Sequence, residues 1–208
     1  MTVTMPDCVV AAAGASSRMG AFKPLLPLGG RAMVDIVASR AREAGCRVLV
    51  VAGHRGDEVA HLFEGREGVV VVGNPRWEEG MLGSIQAALG LVRGEAFFCM
   101  NADMPLVPAS AYGALAAARD ARYRSAPPGA GLPGAGLPEA AFFAASGGRE
   151  GHPVLIPSAW IPEILALPRG GRMRDFLAAR QRELVELGDD AVLADVDTPE
   201  DYRRLSGR

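Results

Sequence analysis

Short apolar runs alternate with amphipathic stretches along most of this chain. Residues 8–12 form an uninterrupted apolar run ended by glycine, a pattern that predicts a strand buried on both faces. Residues 47–52, 69–72 and 96–100 repeat it. Between them the period changes. Met33, Ile36, Val37 and Ala41 recur at helical spacing within 32–44, which Gly45 stops. Leu82, Ile85, Leu89 and Val92 do the same within 81–92, and 56–64 and 109–121 predict further helices. Strand and helix in this order build βαβ units. Their right-handed crossovers give a three-layer α/β/α sandwich around a mostly parallel sheet. Beyond it, strands are predicted at 140–144 and 154–156, separated by 147–153, and helices at 158–166 and 172–180. The chain then closes with a strand over 191–196 running into a helix over 198–205. Thr198-Pro199-Glu200 starts that helix with a hydroxyl cap, proline at the first helical position and acid in the first turn.

Residues 125–138 break the pattern. They hold two copies of Pro-Gly-Ala-Gly-Leu, too few for a repeat architecture, and predict a flexible surface loop or, as the minority reading, a lid. The whole is read as one domain over 1–208. With 49% hydrophobic and 22% charged residues the composition is that of a soluble globular protein. A net charge of −2 argues against a nucleic-acid binder that works through bulk positive charge. Three scattered cysteines exclude a disulfide framework, and Cys8, Cys46 and Cys99, each beside an apolar run, are expected in the core. Asp7 interrupts the start, so no secretory leader is predicted. No run reaches the roughly 18 apolar residues of a membrane span. A cytoplasmic protein is expected. One detail of the charge matters more: of the basic residues, Lys23 is the sole lysine and the others are arginine.

Five segments can carry chemistry. Residues 11–26, Ala-Ala-Ala-Gly-Ala-Ser-Ser-Arg-Met-Gly-Ala-Phe-Lys-Pro-Leu-Leu, follow the first strand, where open α/β sheets bind ligands. Small residues at Ala12, Ala13 and Gly14 let the backbone approach a ligand. Ser16 and Ser17 can bond phosphate oxygens, and Arg18 and Lys23 add charge. The alternative is a plain strand-to-helix turn. No Walker A spacing and no GxGxxG occur there. Residues 74–85 join the third strand to a helix. Gly80 permits a close approach, the helix start points partial positive charge at the cleft, and Ser84 can donate; otherwise the segment is a Trp77 anchor. Asp103 in Asn-Ala-Asp-Met-Pro follows the fourth strand, where a carboxylate is costly unless it binds a hard cation such as Mg²⁺ or caps a helix. His152 lies in Gly-Arg-Glu-Gly-His-Pro, as a turn residue or a site residue. Asp195 and Asp197, alternating on the predicted last strand, would share a face.

Together these segments resemble the nucleotidyltransferases related to molybdenum-cofactor cytidylyl- and guanylyltransferases. Residues 11–26 match LAAGxSxRMGxxK with Ala11 for Leu, and 74–84 match NPxWxxGMxxS. Residues 101–107 match GDMPxV around Asp103, with Asn101-Ala102 in place of the usual residues before the Asp. Residues 148–154 match GRRGHPV with Glu150 for the second Arg, and 195–202 match DIDTPEDY with Val196 for Ile. Arg169–Arg174 is a loose counterpart of GDxGAR. The resemblance runs from Val9 to Leu205, interrupted by 125–138. It implies a Rossmann-like fold of the nucleotide-diphospho-sugar transferase type and nucleotidyl transfer with release of pyrophosphate. Asp103 and Asp197 would be the metal ligands, with Asp195 the alternative to Asp197 and Mg²⁺ the cofactor. Arg18, Lys23 and Asp103 would be catalytic. Ala12, Ala13, Gly14, Ser16, Asn74, Gly80 and Ser84 would bind the nucleotide, and His152 would stand beside the acceptor. Ala13-Gly14, where the guanylyl branch carries Gly-Gly, implies CTP. Molybdopterin is the implied acceptor, and a molybdoenzyme or its chaperone a further partner. Guanylyl transfer, another small phosphorylated acceptor, and a non-catalytic cofactor carrier are the alternatives.

Overall fold

The structure is a computed structural model that describes residues 5–15, 21–124 and 139–207. It opens with β1 (Asp7–Ala11), then a small hairpin of β2 (Pro27–Leu28) and β3 (Arg31–Ala32) leads into α1 (Met33–Glu43). The alternation predicted from the apolar runs follows: β4 (Val48–Ala52), α2 (Gly56–Leu62), β5 (Val69–Gly73), α3 (Met81–Leu89), β6 (Ala96–Asn101) and α4 (Ala109–Arg124). After the undescribed 125–138 come β7 (Ala140–Ser146), β8 (Arg149–Pro157), α5 (Ile161–Leu165), α6 (Met173–Ala178), β9 (Gln181–Glu186) and α7 (Pro199–Ser206).

Seven strands form one sheet in the order β5-β4-β1-β6-β8-β7-β9. The pairs β4–β5, β1–β4, β1–β6 and β7–β9 are parallel, whereas β8 runs antiparallel to both neighbours. The inner strands read as apolar runs because both faces are covered. Cys8 and Val10 of β1 enter one core with α1, α2 and α4, and Val9 enters the other with α3, α5 and α6. Cys8, Cys46 and Cys99 are buried free thiols, as expected. No helix among the described residues is long and apolar enough to cross a membrane.

Three parts depart from the expected pattern. β8 begins at Arg149 rather than near 154. Gly147 and Gly148, at φ 57° and 73°, make a two-residue turn, so the hairpin needs no longer connection. β9 was not predicted. It is an edge strand rich in charge and exposed along most of its length, so its apolar signal is weak. The strand expected over 191–196 is instead a 3-10 turn over Asp190–Leu193, because the Asp189 side chain accepts from the Ala191 amide and curls the chain. The turn packs onto β8 at Gly151, where a Cβ would lie 2.2 Å from the Val192 carbonyl oxygen. Asp195 and Asp197 therefore do not share a strand face.

Candidate active site

The site lies beyond the carboxyl ends of β1, β4 and β6. The ladder continues past the strands through amide bonds from Ala12 to Val51 O, from Ala102 to Ala11 O and from His54 to Ala13 O. These fix Ala12 and Ala13 as a rigid floor. Gly53 is required beside it, since a Cβ there would lie 2.3 Å from Trp77 Cβ and 2.9 Å from Ala13 Cβ. His54 packs edge to face on Phe22 and at a tilt against Trp77, which ties the surrounding loops together.

Lys23 opens a short 3-10 turn, Lys23–Leu25, set by Pro24 and by the Leu25 amide donating to Phe22 O. The turn buries the lysine. Its Nζ donates to Asp197 Oδ1 at 2.6 Å and stands 3.5 Å from Asp103 Oδ2. Two local devices place Asp197. The Val196 amide donates to Asp103 O at 2.9 Å, clasping the two segments together. On the other side a capping box between Thr198 and Asp201 starts α7, as its sequence predicted. Asp197 is the residue held between clasp and cap. Asp195 is exposed and reaches Asp103 only through its charge.

Asp103 is the strained group of the site. Burial pushes its carboxyl above the ordinary range, the Lys23 ammonium draws it back down, and the charges of Asp197 and Asp195 push it up again. Its Oδ1 is enclosed and meets no hydrogen-bond donor among the described residues. A buried acceptor without a donor, beside a second carboxylate, suits a hard divalent cation. Among the described residues no group of three or more His, Cys, Asp or Glu could hold a metal. A Mg²⁺ ion on Asp103 and Asp197 would complete its shell with water and substrate phosphate, as is usual for that ion.

Ala12, Gly14, Lys23 and Asp103 line a cleft of about 180 Å³ together with Asn101 and Met81. Asn74 and Ser84, expected to touch nucleotide, are buried; Asn74 Nδ2 donates to Ser84 Oγ at 3.2 Å, and Asn74 Oδ1 accepts from the Arg76 amide at 3.0 Å. They shape the loop rather than face the cleft. Gly80 supplies the bend at φ 99°. Ser16 and Arg18 lie outside the described residues.

A second cavity of about 530 Å³ adjoins the cleft, sharing Met81 and Asn101 with it. Phe143, Val154, Ile156 and Leu177 give it apolar walls, Arg174 adds a cation, and Glu150 is paired with Arg182 at 2.7 Å. His152 faces it, and burial lowers its imidazole pKa to about 4, so it is neutral at physiological pH. Asn101, Met81, Arg174 and Arg182 were not singled out from sequence. Only Asn101 carried a usable signal, as a polar residue closing an otherwise apolar strand.

A family model described as the MobA-like NTP transferase domain matches residues 8–184. Among curated proteins, the molybdenum cofactor cytidylyltransferase of Escherichia coli K12 is 28% identical over 94% of this chain and 93% of its own length. Among solved structures, Rv0371c of Mycobacterium tuberculosis H37Rv superposes with a TM-score of 0.75 at 26% identity, covering 100% of both chains. A manganese complex of that protein gives a TM-score of 0.71 at 23% identity, over 98% of this chain and 99% of the other.

Proposed function

The chain belongs to the MobA-like NTP transferase family of nucleotidyltransferases, and we propose that it moves the CMP group of CTP onto the phosphate of molybdopterin and releases pyrophosphate. The observation that carries this reading is the Lys23–Asp103–Asp197 cluster at the mouth of a cleft that opens into an acceptor-sized cavity. The relative named a molybdenum cofactor cytidylyltransferase supports both base and acceptor. So does the Ala13-Gly14 pair on the cleft floor.

An oxygen of the acceptor's phosphate attacks the α-phosphorus of CTP. The bond from that phosphorus to the β-phosphate's bridging oxygen breaks, and pyrophosphate carries the electron pair away. The protein's task is to align the two phosphates and neutralise charge. The cleft floor at Ala12 and Gly14 holds the nucleotide against the backbone. Lys23, already fixed between two carboxylates, presents its ammonium to the triphosphate. Asp103 and Asp197 would hold Mg²⁺, which supplies Lewis-acid charge to the phosphate oxygens when bound. The manganese complex of a structural relative supports a divalent ion here. Arg18, four residues past Gly14, adds a second cation to the same loop. In the adjoining cavity the apolar walls hold a flat acceptor body, with neutral His152 beside it.

The test is turnover with CTP and with GTP, with molybdopterin as acceptor, following pyrophosphate and identifying the product by mass. A clear preference for CTP with a cytidylyl product is expected. Preference for GTP would overturn the base assignment, and activity only with a sugar or alcohol phosphate would overturn the acceptor.

A further inference from the structure

We propose that Asn101 positions substrate during nucleotidyl transfer, its carboxamide taking a hydrogen bond from a hydroxyl or N–H group beside the phosphate being transferred. The proposal rests on the reading of the cleft and cavity given above. Asn101 ends β6 in register with Ala11 of β1, and shares its strand face with Cys99, a wall residue of the larger cavity. Like Met81, it lines both compartments. The acceptor's phosphate and the α-phosphate of the nucleotide have to meet at this seam. The amide oxygen is enclosed, and no donor among the described residues reaches it.

The rest of the strand, Ala-Phe-Phe-Cys-Met, is apolar and buried. Leucine or valine would end it without an unsatisfied amide, and buried polar atoms in folded proteins almost always have partners. A donor from bound substrate removes that cost. The oxygen only accepts, so it suits a hydroxyl or N–H rather than a phosphate, whose charge falls to Lys23. The donor can come from the nucleotide's ribose or from the acceptor.

The experiment compares wild type with Asn101→Leu and Asn101→Ser, using CTP, 2′-deoxy-CTP and molybdopterin, with thermal melting alongside. In Asn101→Leu, kcat/KM is expected to fall about tenfold while the melting midpoint holds or rises, a combination that a packing role would not produce. Asn101→Ser, which keeps an acceptor oxygen, is expected to recover part of the loss. A rise confined to KM for CTP, with discrimination against 2′-deoxy-CTP lost, places the donor on the ribose. A rise confined to KM for molybdopterin places it on the acceptor. Turnover of Asn101→Leu equal to wild type, or a lowered melting midpoint, would overturn the proposal and leave the parent reading standing. Absence of wild-type turnover would overturn both.

Discussion

Asp7, buried, and Asp103, half-buried, are carboxylates at opposite ends of two paired strands, and their surroundings differ in kind. Asp7 starts β1. Both its oxygens are bonded: Oδ1 to Arg47 Nε at 3.1 Å, and Oδ2 to Arg47 at 2.7 Å and to the Arg93 amide at 2.8 Å. Asp103 follows β6. One of its oxygens stands 3.5 Å from Lys23 and the other meets no donor among the described residues. Asp7 is saturated by its own fold, and Asp103 is left with capacity to spare. A saturated carboxylate joins parts of the structure. An under-satisfied one at the ligand-binding end of an α/β sheet is held ready for something that arrives from solution.

Replacing each carboxylate should separate the two roles. Asp103→Asn is expected to lower kcat/KM by about a thousandfold, roughly 4 kcal/mol of transition-state stabilisation. Its melting midpoint should stay level or rise by about 2–4 °C, because the desolvation of this carboxylate and its repulsion by Asp197 and Asp195 are gone while Lys23 keeps Asp197. Steady-state kinetics and thermal melts on the same preparation read both. Asp7→Ala should do the reverse. Loss of a buried partner to Arg47 costs about 3 kcal/mol and lowers the melting midpoint by roughly 6–12 °C, with kcat/KM per folded molecule kept. If Asp7→Ala lost turnover without melting earlier, the contrast would fail.

These two residues also mark what the sequence made legible. The apolar runs of β1, β4 and β6 could be read because both faces are buried, and that of edge strand β5 because it is four valines in a row, and the turn after each then located the ligand end of the sheet. Asp103 stood out as an acid after an apolar strand, Asp197 as an acid before a capped helix, and Lys23 as the sole lysine. Their meeting was not, because it depends on a backbone clasp between Val196 and Asp103 that joins distant segments. Charged, exposed β9 hid for want of an apolar stripe. The turn at Asp190–Leu193 hid because one side chain, Asp189, overrode an apolar stretch. Asn74 and Ser84 looked like ligands because polar residues in a site loop usually are. In the structure they satisfy each other.

Lys23→Arg sharpens the comparison at a smaller scale. Arginine's planar fork would pair with the carboxylates much as Arg47 pairs with Asp7, and would follow a moving phosphate less well than a compact ammonium. Turnover is expected to fall about tenfold or more. Near-normal turnover would make the single lysine an accident of composition.

The smallest effect is in pH. Asp103 has to be ionised to act, and its pKa is raised above the ordinary 3.8. The acid limb of kcat/KM, which reports the enzyme before Mg²⁺ and substrate bind, should therefore lie above that of an unperturbed aspartate, with activity rising as pH climbs through it. The linkage runs the other way for stability. The folded protein holds this proton more tightly than the unfolded chain, so the metal-free protein loses stability as pH rises through the same range. His152, lowered to about 4, titrates nearby. A His152→Gln variant that keeps the limb assigns it to the carboxylate.

The central claim is that the Lys23–Asp103–Asp197 cluster transfers a nucleotidyl group. CTP labelled at the α-phosphate, given to the protein with Mg²⁺ and molybdopterin, tests it directly. Label is expected on the acceptor in equal amount to the pyrophosphate released, at a rate about a thousandfold lower when Asp103→Asn replaces the wild type. Label appearing only as free CMP or CDP, with no pyrophosphate matched to a labelled acceptor, would contradict it.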